Sequence, residues 1–304
     1  MKSGFVTVLG RPNVGKSSLI NAMVGQKVSI VSPKAQTTRD RILGILTTDQ
    51  YQMVFVDTPG VHEAKNKLGE YMEKCVKTSA SGVDAIVIVL DLGKRITDKD
   101  KQFVEKYLKG KIPVYLVLNK TDLCSYDKIY PVLQNLAYLT SPAEGRHAVK
   151  EIIPVSAKRG KNVDVLVKCL EKELPEGEIL YPEDEVSDKS ERYMICEIVR
   201  EKALTLLNDE IPHGIGVYIQ DMKYDERGTA RIMIDVIVEK STHKPIVIGE
   251  GGEKLKAIAE RSRRDIEKML NSPVFMEIFV KVRKDWRNDS VAMNDIGYNA
   301  KENL

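Results

Sequence analysis

The 304-residue chain is predicted to fold as an α/β domain, a mostly parallel sheet wrapped by helices, followed by a smaller α+β domain. Three observations predict this. Short β-branched runs alternate with amphipathic stretches from the start to about residue 173. The acidic, proline-containing stretch LYPEDEVSDKSE then shows neither periodicity. Beyond it the order becomes helix, two strands joined by a short turn, helix and strand. The expected organisation is a first domain over 1–173, a linker over 174–190 and a second domain with a C-terminal tail over 191–304.

In the first domain the runs at 5–9, 42–46, 53–57, 85–91, 114–119 and 151–155 are expected strands. Several are apolar throughout, as centrally buried strands are. In the second, a helix is expected over 191–207, strands over 216–224 and 229–239 around the turn Asp225-Glu226-Arg227-Gly228, then a helix and a last strand over 274–282. The polar tail after Trp286 is expected to be irregular.

With 42% hydrophobic residues the chain can build real cores. A net charge of +3 on 47 basic and 44 acidic residues means that any nucleic-acid binding must come from local clustering of charge. Cys75, Cys124, Cys169 and Cys196 are far apart and have no metal-ligand spacing, so they read as reduced thiols of a cytoplasmic protein. The N-terminus MKSGFVTVLG lacks a long apolar run, and no stretch is long enough to cross a bilayer.

Gly10, Arg11, Pro12, Asn13, Val14, Gly15, Lys16 and Ser17 match the phosphate-binding pattern GxxxxGK[ST], directly after a strand and before a helix. The glycines let backbone N–H groups curl around a phosphate at a helix N-terminus, where the dipole favours an anion. Lys16 adds a cation toward the β/γ oxygens, and Ser17 offers a hydroxyl to Mg²⁺.

That loop specifies only a nucleoside triphosphate, and the base is read elsewhere. In Asn119, Lys120, Thr121 and Asp122 the carboxylate can accept both N1–H and N2–H₂ of guanine, a donor pair that adenine lacks. Asn119 would hold the loop, the Lys120 stem would cover the ring, and Ser156, Ala157 and Lys158 would supply backbone contacts to O6. Asp57, Thr58, Pro59 and Gly60 end a strand, with Asp57 the acidic group for Mg²⁺ and the Gly60 amide the sensor of the γ-phosphate. Of Thr37 and Thr38, in the segment before that strand, Thr38 is favoured as the hydroxyl offered to Mg²⁺. The expected catalytic group is thus Lys16, Thr38, Asp57 and Gly60.

GRPNVGKS, TTRD, DTPG, NKTD and SAK, in this order and spacing, resemble the Era family of the translation-factor-related GTPases. The resemblance implies a P-loop GTPase that binds GTP and GDP with Mg²⁺. Val61 stands where Ras-type enzymes carry the glutamine that orients the attacking water, which implies a slow intrinsic rate and another way of placing water. In related GTPases with a hydrophobic residue there, a P-loop asparagine serves a bound K⁺, and Asn13 matches it.

In the second domain Ile248, Gly249, Glu250, Gly251 and Gly252 lie within a (V/I)IGxxGxx(I/L)K sequence that matches the loop of KH domains, here of the bacterial type (type II). Its glycines let backbone approach nucleic-acid phosphates beside the positive end of a helix. Lys254, Lys256, Arg263, Lys284 and Trp286 are the further candidate RNA contacts, with Trp286 open to either base stacking or packing. Residues 243–287 carry 11 Lys/Arg against 7 Asp/Glu, whereas 183–304 carry 20 against 24, so the basic face is local. Single-stranded RNA suits it better than a duplex.

With both halves matching, the resemblance to Era covers nearly the whole chain. It implies a monomeric GTPase that binds the 3′ end of 16S ribosomal RNA and promotes assembly and maturation of the 30S subunit, and it leaves open a peripheral contact with the inner membrane. Two alternatives stay open at this point: an RNA-binding module in which GTP is structural only, and a GTPase serving RNA modification or membrane transport.

Overall fold

A strand that is apolar along its whole length has to be covered on both faces, and Ala85–Asp91 (β4) is buried at every position. The structure, a computed structural model, describes residues 1–60, 64–208 and 211–298. β4 lies inside a six-stranded sheet with Lys2–Leu9 (β1), Ile42–Thr47 (β2), Tyr51–Asp57 (β3), Val114–Asn119 (β5) and Glu151–Pro154 (β6), in the order β2-β3-β1-β4-β5-β6. Only β2 is antiparallel, against β3. Lys16–Val24 (α1) and Val163–Glu171 (α5) cover one face, where Leu19, Ile20 and Leu166 meet Val6, Val8 and Phe55. Lys67–Ser79 (α2), Asp98–Tyr107 (α3) and Tyr126–Leu136 (α4) cover the other, where Val76, Val104 and Leu136 meet Leu9, Ile88 and Leu116. Strand order reverses direction at β1, so the carboxyl ends of β1 and β4 border the crevice in which such sheets bind ligands.

By contacts the chain divides into two units. The first comprises Met1–Val31, Thr38–His62 and Glu73–Asp188; the second comprises Ser32–Thr37, Glu63–Met72 and Lys189–Leu304. Most of the stretch expected as a linker therefore belongs to the first unit. It runs as a strap over that unit's surface: Ser3 donates to the Pro175 carbonyl at 3.0 Å, Ile45 to that of Val186 at 2.9 Å, and the Leu43 amide to the Asp188 carboxylate at 2.8 Å. The central fastening is Gln52, a fully buried polar side chain in β3. Its amide nitrogen donates to the Tyr181 carbonyl at 2.8 Å, and its oxygen accepts from the amides of Leu180 and Tyr181 at 2.8 and 2.9 Å. A strap held by backbone pairing carries no hydrophobic period, which is why the sequence reads as linker.

In the second unit Glu191–Leu206 (α6) starts at Ser190, whose hydroxyl accepts from the Tyr193 amide at 3.2 Å. Gly216–Tyr224 (β7) pairs antiparallel with Ala230–Val238 (β8), and β8 pairs parallel with Val274–Val282 (β9). Between β8 and β9 lie His243–Ile248 (α7) and Glu253–Leu270 (α8). α6 and α8 bury Ile195, Ile198, Val199, Ile258 and Ile266 against Ile232, Ile234 and Val236 of the sheet. Residues 287–298 of the tail are ordered rather than irregular; the rest of the stretch expected as irregular lies outside the described residues. The ordered part includes Ser290–Asp295 (α9), capped by Asp289, whose carboxylate accepts from the Val291 amide at 2.9 Å. Ala292, Met293, Ile296 and Tyr298 are buried, an apolar set too sparse among polar neighbours to raise the mean hydropathy of the segment. No helix among the described residues is long and apolar enough to cross a membrane.

Gln52→Ala leaves two strap amides and one carbonyl without their partner, and such losses cost about 1–3 kcal/mol each when buried. The variant is expected to unfold at lower denaturant concentration, with faster hydrogen exchange at the Leu180 and Tyr181 amides. Unchanged exchange at those two positions would contradict the strap's dependence on Gln52.

Candidate functional site

The phosphate-binding loop turns from β1 into α1 at Gly15, whose φ of 97° lies in the left-handed region. A β-carbon there would lie 2.3 Å from the Asn119 amide nitrogen. Glycine therefore lets the loop approach β5 closely. From β5 the Asn119 side chain, itself buried, donates to the Val14 carbonyl at 2.9 Å and accepts from the Ala157 amide at 3.1 Å. One residue thus ties the phosphate loop to the loop after β6. Lys120, at φ 69°, donates to the Asn13 carbonyl at 2.6 Å and to the Asp91 carboxylate at 2.7 Å. Arg11 pairs with Asp100 at 3.0 Å, and the Thr58 hydroxyl donates to the Val8 carbonyl at 2.9 Å, with Pro59 and Gly60 buried beside it.

Asp122 is exposed and accepts a 2.6 Å hydrogen bond from the buried Ser156 hydroxyl. That bond is the largest influence holding its carboxyl below the usual range. A charged acceptor beside the loop of Ala157 and the exposed Lys158 is what N1–H and N2–H₂ of guanine require.

At the other end of the site Lys16 is 6% exposed, and its ammonium donates to the carbonyls of Gly10 and Arg11 at 3.2 and 3.3 Å. Burial lowers its pKa to about 8, with the Asp57 charge opposing. Asp57 is 0% exposed, and burial raises its pKa against the opposing Lys16 charge and Ser17 hydroxyl. The hydroxyls of Ser17 and Thr38 lie 2.8 Å apart, and the Thr38 hydroxyl is 3.5 Å from Asp57 Oδ2. Asp57 Oδ1 is buried with no hydrogen-bond partner among the described residues. Two hydroxyls and a carboxylate with an orphaned oxygen are the hard donors that suit Mg²⁺. Val61 lies outside the described residues.

The structure therefore gathers the residues from Gly10 to Ser17, Thr38, Asp57 to Gly60, Asn119 to Asp122, and Ser156 to Lys158 at one edge of one sheet. Sequence reasoning missed Asp91, the partner of Lys120; it ends β4 opposite Asn119 of β5, so its position at a strand's carboxyl end was the available signal.

In the second unit Ile248 to Gly252 form the turn from α7 to α8 and Lys254 and Lys256 lie in the first turn of α8, whereas Arg263 lies about two turns beyond Lys256 along α8 and Lys284 follows β9. Gly249, Gly251 and Gly252 all have left-handed φ, and Gly252 is the N-cap of α8. Glu250, Lys254, Lys256 and Lys284 are exposed, Ile248 is half-buried, and Arg263 is exposed with a 3.6 Å ion pair to Glu267. Trp286 is the exception. It is 0% exposed, donates its indole N–H to the Gly214 carbonyl at 2.9 Å and stacks on Tyr298 with ring centres 6.1 Å apart. Packing has taken the ring, so base stacking by Trp286 is corrected to a core role. Arg287 and Arg283 are likewise engaged, with Glu239 at 2.8 Å and Asp295 at 2.8 Å.

This fold and site define a guanine-nucleotide-binding P-loop protein joined to a KH module. Two family descriptions match the sequence: "50S ribosome-binding GTPase" over residues 5–120 and "KH domain" over 210–287. GTPase Era of Clostridium beijerinckii is 48% identical over 299 residues, 98% of each chain, and that of Clostridium botulinum strain Kyoto is 47% identical over 297, again 98% of each. A crystal structure of Era in complex with MgGDPNP and nucleotides 1506–1542 of 16S ribosomal RNA superposes with a TM-score of 0.91 at 38% identity, covering 98% of this chain and 99% of that one. A single-substitution variant of Aquifex aeolicus Era bound to GDP and AlF4⁻ gives a TM-score of 0.90, with the same identity and coverage. The chain belongs to the Era family of GTPases.

The lowered pKa of Lys16 gives a pH test. Without nucleotide the ammonium loses its proton as pH rises through about 8; beside bound phosphates the charged form is favoured and the proton is retained. GDP binding near pH 8 is therefore expected to take up protons, and affinity to fall as pH rises from about 7 to about 9. Calorimetry in buffers of different ionisation enthalpy measures the uptake, and zero uptake at that pH would overturn the assignment.

Proposed function

We propose that the protein hydrolyses GTP with Mg²⁺ and, according to its nucleotide state, binds the 3′ end of 16S ribosomal RNA to promote assembly of the 30S subunit. The observation that carries the nucleotide half is the buried corner of Lys16, Ser17, Thr38 and Asp57, whose donors are the right kind and whose Asp57 Oδ1 lacks a partner among the described residues. The RNA half is supported by the glycine turn opening α8 with Lys254 and Lys256 exposed beside it, and by the RNA-bound Era structure. None of the four cysteines is in a disulfide, in keeping with a cytoplasmic setting. A monomer is the expected state.

In the hydrolysis reading, water attacks the γ-phosphate in line and GDP leaves. Lys16 exchanges the carbonyls of Gly10 and Arg11 for phosphate oxygens, and the amides of the loop stabilise charge developing on the bridging oxygen. Ser17, Thr38 and Asp57 would hold Mg²⁺, which neutralises β/γ charge when bound. Asp122 reads the base while Asn119 keeps both loops in place. The γ-phosphate would be sensed by the Gly60 amide.

The test is binding of a short single-stranded RNA copied from the 3′ end of 16S ribosomal RNA, with a GTP analogue and with GDP, to wild type and to Gly251→Asp. A β-carbon at Gly251 meets nothing within 4 Å, and Asp tolerates its left-handed φ, so the variant adds charge without disturbing the fold. Binding favoured by the GTP analogue and lost in the variant is expected. Equal affinity in both nucleotide states would remove the gating, because a ligand that binds two states equally shifts neither. Asn13 in the phosphate loop supports a second expectation, faster GTP hydrolysis in K⁺ than in Na⁺ salts at equal ionic strength; identical rates would exclude activation by K⁺.

A further inference from the structure

The strand β4 is apolar from Ala85 to Leu90 and then ends in a carboxylate, Asp91, that is 8% exposed. A carboxylate this far from water persists only when it is paired and hydrogen-bonded, and both of its oxygens are engaged. Oδ1 accepts from the Gly93 amide at 3.0 Å, which turns the chain out of the strand. Oδ2 accepts from the Lys120 ammonium at 2.7 Å. The same ammonium donates to the Asn13 carbonyl of the phosphate loop at 2.6 Å, so two of its three protons are committed. Lys120 is therefore stretched between the end of β4 and the phosphate loop.

The residues around Asp91 reach the same loop. The Leu92 amide donates to the Asn119 carbonyl at 2.9 Å, and Cys124 Sγ donates to the Leu92 carbonyl at 3.3 Å. The turn after β4 thus braces the loop Asn119 to Cys124 at its two ends and, through Asp91, at Lys120 between them. All of these residues lie in the first unit. A lysine stem is flexible and loses much rotamer freedom when it is ordered. The carbonyl of Asn13 holds the ammonium from one side only; the fixed charge of Asp91 supplies the other point that keeps the stem straight.

We propose that Asp91 is a positioning residue for guanine-nucleotide retention: by holding Lys120 against the phosphate loop, it keeps the lysine stem where the face of the base lies and so sets how slowly nucleotide leaves. The inference rests on the reading above in which Lys120 covers the ring and Asp122 takes its edge. The two carboxylates then have separable roles. Asp122 distinguishes guanine from hypoxanthine, which keeps N1–H and lacks the N2 amine, whereas Asp91 acts through the ring face that both bases share. The phosphate chemistry at Lys16, Ser17 and Asp57 does not pass through Asp91.

The test uses the full-length chain and the variants Asp91→Asn, which keeps shape but can accept from only one of its two donors, Lys120→Met, and the two combined. Three quantities are measured: the release rate of fluorescent GDP, the affinities of GDP and IDP, and the single-turnover rate of bound GTP. Asp91→Asn is expected to release GDP about tenfold faster, the size of one charge-assisted hydrogen bond. GDP and IDP affinities fall by the same factor to within about twofold, and single-turnover hydrolysis stays within about threefold. Added to Lys120→Met, it speeds release by less than about twofold more, because contacts that act as a unit are not additive. A folded Asp91→Asn with wild-type GDP release overturns the inference, as does a full additional effect on top of Lys120→Met, or a parallel loss of single-turnover rate that marks general disruption. If Asp91→Asn fails to fold, Asp91→Ser decides: its hydroxyl can keep the turn onto Gly93 but falls short of Lys120, and unchanged release there overturns the inference. A wild type that holds ADP as tightly as GDP would instead strike the guanine reading beneath.

Discussion

The interaction on which the site depends is the burial of two opposite charges, Lys16 and Asp57, at the carboxyl edge of a parallel sheet. Removing an ammonium and a carboxylate from water is costly, and their mutual attraction offsets that cost only in part. Burial pushes both groups toward neutrality, Lys16 downward and Asp57 upward. An anion arriving at Lys16 and a cation at Asp57 would each reverse that tendency. The corner is electrostatically incomplete by construction, and a polyphosphate with a divalent metal is the ligand that completes both halves at once. The cost is carried by the fully apolar strands beside it and by Asn119, whose two hydrogen bonds keep the loops from collapsing into the crevice.

The second unit manages polar groups differently. Its glycine turn leaves backbone exposed between α7 and α8, while part of the nearby positive charge is engaged within the unit: Arg287 with Glu239, Arg283 with Asp295, Lys281 with the buried Asp235. A strongly positive surface is therefore not what this unit offers to an RNA. What it offers is a helix N-terminus, open backbone and exposed lysines at one end of α8, geometry suited to gripping a few nucleotides in a fixed register.

The sequence made legible whatever repeats a short physical rule. Strands of the first unit begin and end within a few residues of their expected places because unbroken β-branched runs admit little else, and the nucleotide loops follow from spacing that chemistry imposes. Three features were hidden for three reasons. The strap over residues 175–188 is held by backbone pairing and by Gln52, which no periodicity reveals. The helix Ser290–Asp295 buries too few apolar side chains to stand out in a polar tail. Trp286 lies among basic residues in the chain, but burial is a property of three dimensions, and its indole is closed in by Gly214 and Tyr298.

Arg200 shows the limit of reading charge from sequence most clearly. In the chain it is one basic residue of an amphipathic helix, three positions from a glutamate, a spacing found on countless solvated helix faces and worth a few tenths of a kcal/mol. In the structure the same pair is dry, bidentate and spent on a main-chain carbonyl. The contrast with Lys16 and Asp57 is instructive. Those charges are only partly satisfied by the protein, Lys16 by two carbonyls and Asp57 with Oδ1 left over, so their energy responds to what is bound. Glu197 and Arg200 pair with each other through Nε and Nη2, although Arg200 Nη1 has no partner among the described residues, so this pair depends on no ligand. The chain thus holds two kinds of buried charge: one whose balance would change with a ligand, and one already paired within its own unit.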